Sequence, residues 1–329
     1  MDFNQLFAEA AAAMDGSAPR PGLPVQPLAP GEPFVADFVL AGAAVVQGGY
    51  ASDLVAFAER TGLGVLNAFT AKGLFRWDSP FHLGTGCLQE RDLQLAGAGP
   101  DSVVLVVGVD IDECGPALLA AAGLDTVPAA WRSVDPSGLS EAAAHVTASF
   151  GGPPTPPPVP ALFKVLWDVA QPLYALEGAP LNPARAAADI ATALGADGVV
   201  CAEPGIAGWW IGRTVPTTRL GSVAIPAAGS PGVAVARALL TSQAGSPALA
   251  VVDSLNAEAL ALIELGRTLD FPFVVEVWGD AGTPLDASAH RDRVQAALAE
   301  PGVTVIELPI DYSATELLVA AAGPLVAWG

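Results

Sequence analysis

Unbroken apolar runs of strand length recur along this chain, each followed by a segment of helical periodicity, and that alternation narrows the fold more than any other feature. "SVVLVVGVD", "GVVCAE", "ALAVVD", "FPFVVEVWG" and "VTVIELPID" are rich in β-branched residues and show no polar alternation. A strand apolar on both faces needs cover on both faces, and parallel strands joined by crossover helices provide it. Helices are expected near 50–61, 88–97, 183–194, 206–213, 230–241, 256–268, 287–299 and 313–322, with a long loop between "GVLNAF" and the second of them. The expected fold class is α/β, as two three-layer α/β/α domains with mainly parallel sheets.

Proline divides the pattern. "FNQLFAEAAAAM" suits a short amphipathic helix, and "GSAPRPGLPVQPLAPGEP" after it is too proline-rich for a helix or a central strand. "GGPPTPPPVP" from Gly151 to Pro160 is the clearest boundary. The predicted organisation is an N-terminal arm over 1–34, a Rossmann-like domain over 35–150, a proline-rich linker over 151–180 and a second domain over 181–329. A chain of 329 residues has enough material for two cores.

Charge excludes several partners. With 14 basic against 34 acidic residues the net charge is −20, which would repel nucleic acid and an anionic membrane surface alike. No run approaches the roughly 18 apolar residues of a spanning helix, and "MDFNQLF" lacks the basic start of a secretory signal. A cytoplasmic protein is expected. Cys87, Cys114 and Cys201 are widely spaced and form no CxxC pair, so they suit buried thiols in a reducing compartment.

In parallel sheets ligands bind beyond the carboxyl ends of the strands. Glu203, Asp253 and Asp280 all stand at such ends. Asp253 and Asp280 could clamp Mg²⁺ with a carbonyl nearby and a diphosphate completing the shell, because Mg²⁺ rarely takes all six oxygens from protein. The helix beginning near Asn256 would point N–H groups at the same anion. Alternatively, Asp253, Ser254 or Asn256 caps that helix, and Asp280 is a turn residue before Gly282. Spacing alone favours the capping reading.

The first half adds a resemblance. "FVLAGAAVVQGGY", the turn Ala71-Lys72-Gly73, the loop Ser79 to Gly84, "CLQERD" from Cys87 to Asp92 and "VVGVDIDE" fall in order over about 37–135. Together they resemble the central domain of thiamine-diphosphate enzymes of the acetolactate synthase and 2-oxoacid decarboxylase type. The second half is then similar to that family's diphosphate-binding domain. The resemblance aligns the family's GDG triplet with Val252-Asp253-Ser254 and its asparagine pair with Gly279-Asp280. One acid is kept; both glycines and the paired asparagine are gone. Val252 puts a β-branched side chain where backbone should approach a diphosphate, and Asp280 adds negative charge beside an anion.

By this resemblance the cofactor would be thiamine diphosphate with Mg²⁺. Glu203, Gly205, Asp253, Ser254, Asn256 and Gly282 would line its site, and Asp253 and Asp280 would hold the metal. The family's N-terminal pyrimidine-binding domain, whose glutamate activates the cofactor, has no counterpart here, and no residue inherits that catalytic role. The resemblance therefore implies a truncated, degenerate relative without autonomous catalysis, serving as a scaffold or regulatory subunit. The alternative is one subunit of a split 2-oxoacid decarboxylase or carboligase, a lyase or transferase completed by a partner that carries the missing domain. Either implies a homo- or hetero-oligomer.

Other residues carry weaker signals. Some relatives bind FAD at the central domain, and no residue singles that out here. No G-x-G-x-x-G follows a strand, and "AGSPG" around Ser230 is not a G-x-S-x-G elbow. His82, His145 and His290 are scattered. Trp209 and Trp210 are expected in the core, and Lys72 is expected as a solvated turn lysine.

Overall fold

The computed structural model describes residues 22–151 and 157–328; the expected helix near the N-terminus lies outside them. Eight strands fall in the first half: β1 Gln26–Pro27, β2 Phe34–Ala36, β3 Phe38–Ala41, β4 Val65–Ala68, β5 His82–Gly86, β6 Val104–Val107, β7 Arg132–Val134 and β8 Val146–Ala148. Five follow in the second: β9 Val199–Ala202, β10 Val223–Ala224, β11 Ala248–Val252, β12 Phe273–Gly279 and β13 Val303–Pro309. They build a six-stranded sheet in the order β1-β7-β6-β3-β4-β5 and a five-stranded sheet in the order β10-β9-β11-β12-β13, with β2 and β8 paired apart. Every pairing between these strands is parallel. The protein is α/β with parallel sheets, as the apolar runs require.

The strand side chains alternate between two cores. In β3, Phe38 and Leu40 enter a cluster that also takes Val200, Leu249 and Val251 of the second sheet, so one apolar core runs between the two sheets. Val39 and Ala41 face the other way, onto Leu54, Phe57 and Ala58 of the helix Ala51–Thr61. In β11 all five residues are buried; Ala250 and Val252 pack toward the helices Val233–Gln243 and Ala257–Leu269. Trp209 and Trp210 are core residues, as expected.

Several elements depart from the sequence reading. The expected linker over 151–180 contains a 14-residue helix, Ala161–Tyr174, whose Leu162 and Leu173 join the shared core. Part of the expected arm is edge strand β1, and Leu23 beside it is buried. The expected long loop contains β5, and the expected helix over 88–97 shortens to Asp92–Leu95. Among the described residues, no helix is long and apolar enough to cross a membrane.

The two sheets are fastened by a buried ion pair. Arg213, near the end of the helix Ile206–Thr214, donates to both oxygens of Asp92 at 2.6 and 2.7 Å, to Gln89 Oε1 at 2.9 Å and to the Thr85 carbonyl at 2.7 Å. Asp92 also accepts the Leu88 and Gln89 N–H groups, and Gln89 donates onward to the Leu318 and Gly323 carbonyls. "CLQERD" is thus a latch on the second half of the chain.

Candidate site at the strand-order reversals

Strand order identifies where a ligand would sit. In the second sheet β9 leads to β10 on one side, and the chain then returns to lay β11 along the other side of β9. The first sheet reverses in the same way between β3 and β6. Ligands of open α/β sheets bind in the crevice at such reversals, beyond the carboxyl ends of the strands. Glu203 follows β9 and Asp253 follows β11, so the two acids flank the reversal of the second sheet.

Both are turned onto helix N-termini. Asp253 Oδ2 accepts the Ile206 N–H at 3.1 Å and Oδ1 accepts the Ala207 N–H at 2.9 Å, which closes the first turn of Ile206–Thr214. Gly205 makes room for this contact. Its φ is +143°, and a Cβ there would stand 2.0 Å from Asp253 Oδ2. Burial raises the Asp253 pKa, while the two N–H groups oppose the rise. Burial also pushes Glu203 up to about 6, against the pull of the Gly232 and Ala234 N–H groups at the start of Val233–Gln243 and with the repulsion of Asp253. Glu203 Oε1 is buried without a hydrogen-bond partner.

The remaining candidates are less engaged. Asn256 caps its own helix, its Oδ1 accepting the Ala259 N–H at 2.8 Å. Ser254, Asp280 and Gly282 are exposed. Gly282, at φ +99°, packs so closely on β13 that a Cβ would lie 2.1 Å from the Glu307 carbonyl oxygen. Asp253 and Asp280 both act on the Tyr312 hydroxyl, whose pKa is raised first by burial and then by these two charges; that hydroxyl has no hydrogen-bond partner. Among the described residues, no group of three or more His, Cys, Asp or Glu side chains could hold a metal ion.

The first reversal repeats the theme with a residue that spacing did not single out. Glu113, in the loop after β6, is fully buried. Its Oε1 accepts the Ala43 N–H at 2.9 Å and the Thr70 hydroxyl, and its Oε2 accepts the Asp110 N–H at 2.9 Å. A Cβ on Gly42 would meet Glu113 Oε2 at 2.4 Å. Burial, reinforced by Asp110, pushes Glu113 up to about 7. The legible signal was the acidic turn "GVDIDE" directly after an apolar strand.

A diphosphate needs free N–H donors at these helix starts. Asp253 takes two of them, Glu203 faces a second helix start and Asn256 takes an N–H of a third. In this arrangement the donor set is occupied, and the acids nearby are of the wrong sign for another anion. The residues present do not fit a diphosphate without rearrangement.

A second polar cluster escaped the sequence reading. Glu276, in the middle of β12, accepts the Trp278 indole N–H at 2.8 Å and meets His290 Nε2 at 3.0 Å. His290 Nδ1 lies 3.5 Å from Asp189, which also accepts from Arg185 and Arg291. The signal was there: one charged residue inside "VVEVW" demands a buried partner. Lys72 likewise corrects an expectation, since it is only 8 % exposed.

No protein-family model matches the chain. No curated protein matches it either. Among solved structures, it is similar to an X-ray structure of a candidate thiamin diphosphate-dependent enzyme isolated from Mycobacterium smegmatis, with 15 % identity, a TM-score of 0.61 and 94 % of this chain covered. The likeness shows the fold. This chain spans 64 % of that structure's length.

Proposed function

We propose that this protein is a non-catalytic relative of thiamine-diphosphate enzymes, a scaffold or regulatory subunit of an oligomer in which the cofactor crevices are closed by the chain's own carboxylates. The observation that carries the reading is Asp253. It lies at the strand-order reversal, where the family-like motif puts it, but both its oxygens accept N–H groups of the next helix. Glu203 and Glu113 stand in the same relation to two other helix starts. Three acids at three helix N-termini satisfy locally what a bound phosphate would otherwise satisfy.

A second reading rests on the unpartnered Glu203 Oε1 and Tyr312 hydroxyl beside the crevice. Here the chain is part of a split decarboxylase or carboligase. Asp253 and Asp280 would hold Mg²⁺ after Asp253 releases its N–H groups. Gly205, Ser254, Asn256 and Gly282 would line the diphosphate, and a partner polypeptide would complete the site.

Titration calorimetry with thiamine diphosphate and Mg²⁺ separates the two, on this chain alone and with any polypeptide that co-purifies with it. The first reading expects no heat of binding to this chain alone, and none in the mixture that depends on Asp253. Micromolar binding that Asp253→Ala abolishes would establish the second.

A further inference from the structure

The acid-filled reversals leave one cleft of opposite character, and it lies at the joint between the sheets. A cavity of about 280 Å³ is lined by Lys72, His82, Phe163, Trp167, Tyr174 and Arg213 among others. Small-molecule pockets run from roughly 300 to 1,000 Å³, so this one suits a compact ligand. It shares no lining residue with the Asp253 crevice, so a ligand here is independent of whether that crevice is closed or open.

Two of its polar groups stand out, one for the lack of an acid and one for the lack of a hydrogen-bond partner. Lys72 is buried, and the charged group acting on it is Arg213, not an acid. Burial, then Arg213, pushes its pKa down to about 7. Arg213 is itself taken up by Asp92, Gln89 and Thr85. His82 Nδ1 is buried with no hydrogen-bond partner; its ring lies 6.4 Å from Phe75 in a stacked arrangement and 6.4 Å from Phe163 edge-on. At the rim, Trp77 and Trp167 stack with centroids 6.0 Å apart and planes 4° from parallel. Both are nearly half exposed, at 45 % and 42 %.

Arg213 has Asp92 to offset its charge, but Lys72 has no acid acting on it, and burying a cation in that state is costly. No Asp or Glu lines the cavity, and the nearby Asp92 is taken up by Arg213. An anion entering the cavity would stabilise the charged form of Lys72, which burial and Arg213 disfavour. We propose that this cavity binds a small carboxylate with a planar apolar body, the carboxylate pairing with the Lys72 ammonium and accepting from His82 Nδ1, the body lying among Phe163, Trp167 and Tyr174. Because the cavity sits between the two sheets beside the Arg213–Asp92 latch, occupancy would brace their joint.

Benzoate is a suitable probe, with benzamide as its uncharged isostere. Calorimetry on the full chain should show saturable benzoate binding in the millimolar range or tighter, with benzamide about tenfold weaker or worse. Lys72→Met keeps the apolar stem and removes the charge. It should retain the wild-type circular dichroism and weaken benzoate about tenfold, so that the two probes bind alike. Trp167→Ala, at an exposed position, should weaken both probes by the same factor. The proposal fails if benzoate does not saturate, if wild type binds benzoate and benzamide equally, or if Lys72→Met binds benzoate as wild type does.

Discussion

Arg213→Met reads the joint between the sheets directly. The guanidinium is 1 % exposed and the Asp92 carboxylate 0 %, so the pair is desolvated on both sides. Removing the cation leaves Asp92 with only the Leu88 and Gln89 N–H groups, and it strands the Thr85 carbonyl and Gln89 Oε1. An uncompensated buried charge costs about 3–5 kcal/mol, a large share of a total stability of about 5–15 kcal/mol. At about 2 °C per kcal/mol for a chain of this size, the melting temperature should fall by roughly 6–10 °C. Urea unfolding followed by circular dichroism supplies the free energy. The double variant Asp92→Leu/Arg213→Met should recover part of the loss, since it leaves no unpaired charge. A loss below about 1 kcal/mol for Arg213→Met, the value of an exposed pair, would mean that water reaches this pair and that the latch does not hold the sheets.

Three further outcomes concern single sites. Gly205→Ala should destabilise by about 1–3 kcal/mol, because its φ of +143° is nearly confined to glycine and the new methyl would displace the Asp253 carboxylate; urea midpoints check this, and an unchanged midpoint would refute the contact. Although burial opposes it, Glu276 and Asp189 raise the His290 pKa to about 9, so its charged form stabilises the fold fully below about 6.5 and loses that effect as pH rises through about 9. The stability difference between wild type and His290→Gln should therefore shrink from pH 6.5 to 9.5, and subtracting the two curves cancels Lys72 and Glu113, which titrate nearby; a constant difference would refute it. Glu113→Ala should cost about 2 kcal/mol or more in urea unfolding by orphaning the buried Ala43 N–H and removing the acceptor of the Asp110 N–H; a loss under 0.5 kcal/mol, typical of a surface change, would contradict it.

The sheets were legible because strands such as "ALAVV" and "VLVV" are buried along their whole length, and burial of that kind writes itself as an apolar run. The strand β5, "HLGTG", was not, because its two glycines and threonine read as loop until the β4 backbone pairs with it. The helix Ala161–Tyr174 was hidden behind prolines and holds one, Pro172, in its last turn. In the site, position was legible and partnership was not. Spacing put Asp253 at a strand end and anticipated capping. It offered Asp253, Ser254 or Asn256 for the helix that follows, and Asn256 is the one that caps it; which sheet neighbour lies alongside decides that Asp253 caps Ile206–Thr214. Lys72 departs from its expected exposure for a related reason. A turn residue in sequence became buried when the second half of the chain packed over it.

The central claim is that carboxylates of the chain occupy the anion-binding helix starts of the second sheet. Titrating pyrophosphate without metal into wild type and Asp253→Ala, by calorimetry at pH 7.5, tests it most directly. Wild type should show no binding up to millimolar concentration, whereas Asp253→Ala, with the Ile206 and Ala207 N–H groups freed and one charge removed, should bind measurably. Binding by wild type that Asp253→Ala leaves unchanged would contradict the account.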